Sequence, residues 1–154
     1  MTGADQITLH DPDGAPVEFA SLTADPLVVV LVRYYGCLPC QAYLREVDAA
    51  RDRFANGASV IAVGGSADFQ ARWLRDEMEI RLPLLLDPEQ HVRSLAHLGN
   101  LTARQLLSPR GAARYVDALR DGLRPQRITR DTVRAPGVAV FGPGFELLWT
   151  RAGV

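Results

Sequence analysis

The segment PLVVVLVRYY carries an unbroken apolar run, Leu27 to Val32, with no polar alternation. That pattern predicts a strand buried on both faces of a sheet. The period then changes. Cys40, Leu44, Val47, Ala50 and Phe54 recur at steps of four, three, three and four, with Gln41, Arg45, Asp48 and Asp52 opposite. This is the stripe of an amphipathic helix with one buried face, and Asn56-Gly57 supplies its stop signal. SVIAVGG reads as a second buried strand, and SADFQARWLRDEMEI as the next helix with Ser66 as N-cap.

Upstream, ITLHDPDGAPVEF alternates around Asp-Pro-Asp-Gly and predicts a hairpin, Ile7 to His10 and Val17 to Phe19. Downstream, LPLLLDPE predicts a third buried strand and QHVRSLAHLG a short helix closed by Gly99. From Leu101 to Leu123 the pattern is helical in two pieces broken at Pro109, and Ala112, Val116, Leu119 and Leu123 form a stripe in the second. An Arg-rich loop follows, then GVAVF, a Gly-Pro-Gly turn and FELLWT as a closing hairpin. The order β-β-β-α-β-α-β-α-(α)-β-β predicts an α/β sandwich with a mixed sheet.

Length and composition narrow the class. The 154 residues suit one domain, 47% of them are hydrophobic, and the formal charge is −1. Such a balance offers no general attraction for nucleic acid or an anionic membrane. All seventeen basic residues are Arg, so chemistry that needs a lysine amine is excluded. The N-terminus lacks the basic start and apolar run of a signal peptide, and the expectation is a cytoplasmic protein with no membrane partner.

The candidate chemistry lies in YYGCLPC, which holds both cysteines of the chain, Cys37 and Cys40. A redox pair, half of a metal site and a static disulfide are the competing readings. A zinc site would require two more ligands, with His91 and His97 at a tolerable spacing, but the amphipathic helix pattern already accounts for both. A disulfide closing so small a loop constrains the unfolded chain little. In a reducing compartment, a redox pair is favoured. Placed where a buried strand meets a helix, the sulfurs lie near unpaired N–H groups and the positive end of the helix dipole, which favour thiolate. Cys40 begins the core stripe and Cys37 precedes it by three residues. The expectation is therefore an exposed attacking Cys37 and a sheltered resolving Cys40. Pro39 falls in the first helical turn, where its missing N–H costs nothing.

Strand–CxPC–helix resembles the thioredoxin fold. The segments VVVLVRYYGCLPC, VIAVGGSADFQARWLRDE, LPLLLDPEQHVRSLAHLG and GVAVFGPGFELLW are together similar to the AhpC/TSA-type peroxiredoxin-like proteins, in particular the selenoprotein U and prostamide/prostaglandin F synthase-like group. The resemblance implies a single thioredoxin-like three-layer domain over 1–154, with a helical insertion at about 101–134 before the closing hairpin. It also implies that Pro136 is a cis-proline facing the cysteines and that Ala135 offers its backbone to substrate. Gly36, where thioredoxins usually carry Trp, would open the rim beside Cys37, with Tyr34 and Tyr35 partly filling the gap. The tyrosines also read simply as the end of a half-buried strand. The expected substrate surface comprises Tyr35, Gly36, Pro39, Arg134, Ala135 and Pro136. Arg134 there would lower the Cys37 pKa or hold an anionic substrate.

Three positions depart from the resemblance. Tyr34 and Val30 stand where a peroxiredoxin has Thr or Ser and Pro, and Leu31 where thioredoxin has a buried Asp. The first reading is therefore a thiol–disulfide oxidoreductase cycling Cys37 and Cys40. Its substrate is a disulfide or peroxide, and its reductant an external thioredoxin- or glutathione-type thiol donor. Neither metal nor organic cofactor is required. A peroxide or lipid-endoperoxide reductase is the alternative enzyme, and a redox-inert binding module the alternative of another class. Edge strands in such a sheet are compatible with a homodimer. The arginines from Arg110 to Arg134, interleaved with Asp117, Asp121 and Asp131, read as a solvated helix face. Trp73 and Trp149 read as core, and Gly64-Gly65 as a tight turn.

Overall fold

The computed structural model describes residues 3–54, 57–65, 67–99, 109–123 and 135–153. Strands β1 (Thr8–His10) and β2 (Pro16–Glu18) form the N-terminal hairpin. Then come β3 (Leu27–Leu31), α1 (Leu38–Ala50), β4 (Ser59–Gly64), α2 (Asp68–Asp76), β5 (Leu84–Leu86), α3 (His91–Leu95), α4 (Pro109–Arg120), β6 (Gly137–Phe141) and β7 (Leu147–Ala152). The strands make one sheet in the order β2-β1-β5-β4-β3-β6-β7. β3, β4 and β5 run parallel, while β6 and β7 continue the sheet antiparallel beyond β3. This is the thioredoxin-like α/β sandwich expected above. No helix among the described residues is long and apolar enough to cross a membrane.

The central strand explains its own composition. Val29 and Leu31 enter one core with Phe19, Ile61, Val92 and Phe141. Val30 and Val32 enter the other with Leu44, Ala62, Ala71 and Leu74. A strand with both faces buried has no polar positions to spare, hence the continuous valines. Its C-terminal end delivers the chain directly into the cysteine loop.

Helix α1 begins as expected, with Cys37 as N-cap residue and a proline in the first turn. Its polar face departs from the expectation. Gln41 and Asp48 are buried, and α1 is covered on a second side. Asp48 Oδ1 accepts from the backbone N–H groups of Arg81 and Leu82, both at 3.0 Å, which orders the approach to β5. The second cover is α4. Ala118 and Leu123 bury against Leu38, with Ala42 and Tyr115 alongside. The stripe expected on α4 is therefore displaced: Ala112 is exposed, as are Val116 and Leu119, and Leu123 alone of that set is buried. A hydroxyl partner for Tyr115 and the close approach allowed by small Ala118 fix the rotation that apolar spacing misassigned.

Trp149 is also misassigned. It stands exposed beside Leu148 on β7, an edge strand, whereas Trp73 packs against the second core. Among the described residues the cis X–Pro bond is Asp25–Pro26, and Ala135–Pro136 is not cis. The Ala135 N–H donates to Gly99 O (3.0 Å) and the Pro136 carbonyl accepts from Gly153 N–H (2.7 Å), so this bond's flanks are tied into the surrounding chain. Ser66, Asn56, the first helical piece at 101–108 and the Arg-rich loop at 124–134 lie outside the described residues.

Gly64 belongs to β4 rather than to a turn. A Cβ there would overlap the ring of Tyr35, which is buried with its hydroxyl donating to Leu85 O at 2.6 Å. Since the obstacle is a locked ring, Gly64→Ala is expected to cost about 1–3 kcal/mol. Urea unfolding checks this, and a midpoint equal to wild type would contradict the wedge.

Candidate active site

The loop from Val32 to Cys37 is held at both ends. Val32 N–H donates to Val63 O at 3.0 Å, continuing the β3–β4 ladder, and Cys37 N–H donates to Tyr34 O at 3.1 Å. Gly36 N–H donates to Gln70 Oε1 of α2 at 3.0 Å. Gly36 and Tyr35 are both buried, so neither opens a rim nor lines a surface. Tyr35 is a structural wedge against Gly64. Pro39 alone of that trio keeps partial exposure.

Cys37 and Cys40 are unbridged, and each is 1% exposed. The expected contrast in exposure is absent because α4 covers the first sulfur. The chemical contrast remains. The Cys37 thiol is held down at about 6, chiefly by a hydrogen bond from the Cys40 side chain. Burial opposes this, while the Cys40 backbone, the Arg33 charge and the Tyr115 hydroxyl reinforce it. Cys40 is pushed well above the ordinary thiol range by that same pairing and by complete burial. One thiolate and one thiol sharing a proton at a helix N-terminus have the contrast in acidity that an attacking and a resolving sulfur require.

Arg33 and Tyr115 are the site residues that the spacing analysis missed. Arg33 Nη1 lies 3.9 Å from Cys37 Sγ and 3.5 Å from the Tyr115 hydroxyl. The Tyr115 oxygen is itself 3.9 Å from Cys37 Sγ. Burial raises the Tyr115 pKa, with the Cys37 charge adding to it, so the phenol keeps its proton and donates. The Arg33 guanidinium also lies 5.7 Å from the Tyr34 ring centroid. A basic residue four before the cysteine was visible in VRYYGC. Tyr115 gave no local signal, since it arrives from a helix 78 residues away.

Ala135 and Pro136 do lie beside the end of β3, where Gly137 pairs with Leu31. Their backbone is not presented to a substrate. The buried Arg93 guanidinium donates to Ala135 O and, at 2.9 Å, to Val32 O, while the Ala135 N–H serves Gly99. The internal bonds that close this loop consume the groups expected to bind. Arg134 lies outside the described residues. Among the described residues no three His, Cys, Asp or Glu side chains gather as a metal site, and His91 instead meets Glu89 at 2.8 Å.

This geometry predicts how the thiol titrates. Carbamidomethylation of Cys37 should rise with pH to a plateau, with its midpoint at about 6. Arg33→Met removes a nearby opposite charge, so thiolate is lost and the rate at slightly acidic pH falls about tenfold. Overlapping pH profiles for the two proteins would discard this role for Arg33.

The AhpC/TSA family model matches residues 2–111. The chain belongs to the AhpC/TSA family. That match establishes the family and not the narrower selenoprotein U-like group. No curated protein matches the chain significantly. Among solved structures it resembles the Xanthomonas campestris bacterioferritin comigratory protein, described for alkyl peroxide reduction, at 9% identity and TM-score 0.68, covering 98% of this chain and 83% of that one. A secreted Mycobacterium tuberculosis disulfide oxidoreductase matches at 14% identity and TM-score 0.57, covering 98% and 86%. The exposed lipoprotein thioredoxin of Streptococcus pneumoniae matches at 16% and 0.58, covering 96% and 89%. At such identities the likeness is one of fold.

Proposed function

We infer that this AhpC/TSA-family protein is a thiol–disulfide oxidoreductase working through Cys37 and Cys40. The observation that carries the reading is the acid Cys37 beside a proton-retaining Cys40, under a guanidinium and a phenol. Cys37 thiolate attacks one sulfur of a disulfide and releases the other as thiolate. Cys40 then gives up its proton, and its sulfur displaces the remaining half from Cys37. The protein is left with a Cys37–Cys40 bond, while the substrate has gained two electrons, one proton from Cys40 and one from solvent. An external thiol donor, one dithiol of thioredoxin type or two monothiols of glutathione type, returns the two electrons and is itself oxidised to a disulfide.

A second reading is favoured by Arg33 and Tyr115. They hold a cation and a hydroxyl each 3.9 Å from Cys37 Sγ in a sequence that lacks the usual Thr, and such donors polarise an O–O bond. Cys37 thiolate, a hydroperoxide and a proton would give a sulfenic acid and an alcohol. Cys40 would then form the disulfide and release water.

The test is stoichiometric. Reduced protein given one equivalent of a disulfide or hydroperoxide should lose both of its titratable thiols and regain them with a dithiol donor. Thiols that persist against both oxidants would leave the redox-inert binding module standing. A cytoplasmic location and a homodimer along the exposed β7 edge belong to the same proposal. Recovery in the membrane fraction would remove the first, and a single monomeric species in sedimentation the second.

A further inference from the structure

Gln41 is 1% exposed, and among the described residues neither its Nε2 nor its Oε1 has a hydrogen-bond partner. A buried carboxamide with both ends unmet is unusual and costly in a folded protein, so it calls for a reason. Its surroundings on α1 supply one. Cys37, one turn before it, touches the Tyr115 hydroxyl. Leu38, three before, is buried with Ala118 and Leu123, and Ala42, next to it, packs on the same cluster. Arg45, one turn after, pairs with Asp121 just beyond α4 at 3.7 Å. Cys37, Leu38, Ala42 and Arg45, which flank Gln41 on this side, thus meet the α4 segment, which forms a roof along this face of α1.

That roof must lift for catalysis, because a sulfur 1% exposed meets no substrate. Little holds it. The apolar contact is a small cluster, and the Arg45–Asp121 pair is exposed on both sides and contributes little. Among the described residues, the backbone expected to meet substrate is already engaged, the Ala135 N–H with Gly99 and its carbonyl with Arg93. The carboxamide one turn from Cys37 offers one donor end and one acceptor end, the complement of a peptide group.

We propose that the substrate is a peptide or protein disulfide laid along α1 beneath a lifted α4, with Gln41 pairing one of its backbone amides while Cys37 attacks its sulfur. This rests on the oxidoreductase reading above and adds the substrate class and a residue that selects it.

Two measurements test it. In Gln41→Leu, kcat/KM for a short peptide disulfide relative to that for a small aryl disulfide should fall about tenfold, the loss appearing in the peptide KM. The variant should melt no lower than wild type, since an unmet buried carboxamide becomes an apolar side chain of similar size. Unchanged discrimination would overturn the proposal, whereas a wild type that reduces neither disulfide would overturn the reading beneath it. Independently of that variant, Cys40→Ser trapped as a mixed disulfide with the peptide should show faster hydrogen exchange across residues 109–120 than the unmodified protein. Equal exchange would mean that α4 stays closed over bound peptide and would refute the site beneath it.

Discussion

Cys37→Ser should lower disulfide reduction by about three orders of magnitude or more, because a serine hydroxyl gives no nucleophile near neutral pH. Cys40→Ser should behave differently. Its hydroxyl still donates toward Cys37, the contact that does most to keep the Cys37 pKa low, so the first exchange proceeds. The second cannot, and the protein should accumulate as a covalent adduct with half of its substrate, visible by intact mass. Cys40→Ala removes the donor as well. Its Cys37 should titrate higher than in Cys40→Ser, and its adduct should form more slowly at acidic pH. Activity surviving in Cys37→Ser and vanishing in Cys40→Ser without an adduct would reverse the assigned roles.

The largest effect on stability is expected at Arg93, far from any role its sequence position suggests. It is 4% exposed and donates to the Ala135 and Val32 carbonyls and to Gln90 Oε1. It therefore pins the start of β6 to the end of β3, immediately before Arg33 and the cysteine loop. Arg93→Met leaves buried acceptors without a donor, at roughly 1–3 kcal/mol each, so a loss of about 3 kcal/mol or more is expected. Arg93→Lys should recover only part of this, because a single ammonium cannot reproduce the planar fork that spans two carbonyls. Urea unfolding with an unchanged slope measures the loss. A change under about 1 kcal/mol would show that these carbonyls find other partners.

Both expectations turn on how side chains converge, and here local pattern and tertiary outcome part. The buried β3 strand, the switch to helical period after Cys37 and the two hairpins were legible because each is a repeat read along a single segment. The redox pair was legible for the same reason: both sulfurs lie within one turn. Helix α4 was legible as a helix but not as to which face it buries. Its apolar spacing pointed to Val116 and Leu119, which are exposed, while Tyr115 turns inward toward a guanidinium and a thiolate.

The sequence by itself determined the α/β sandwich and the strand-to-helix junction carrying Cys37 and Cys40. Only the tertiary structure decided what surrounds them: Arg33 and Tyr115 on the thiolate, Arg93 closing the backbone at Ala135, and α4 lying along the face of α1 that carries Cys37 and Leu38. The division has a physical cause. Period and capping act over a few residues of one segment, whereas burial and charge at a sulfur depend on groups that only the folded chain brings within hydrogen-bonding reach.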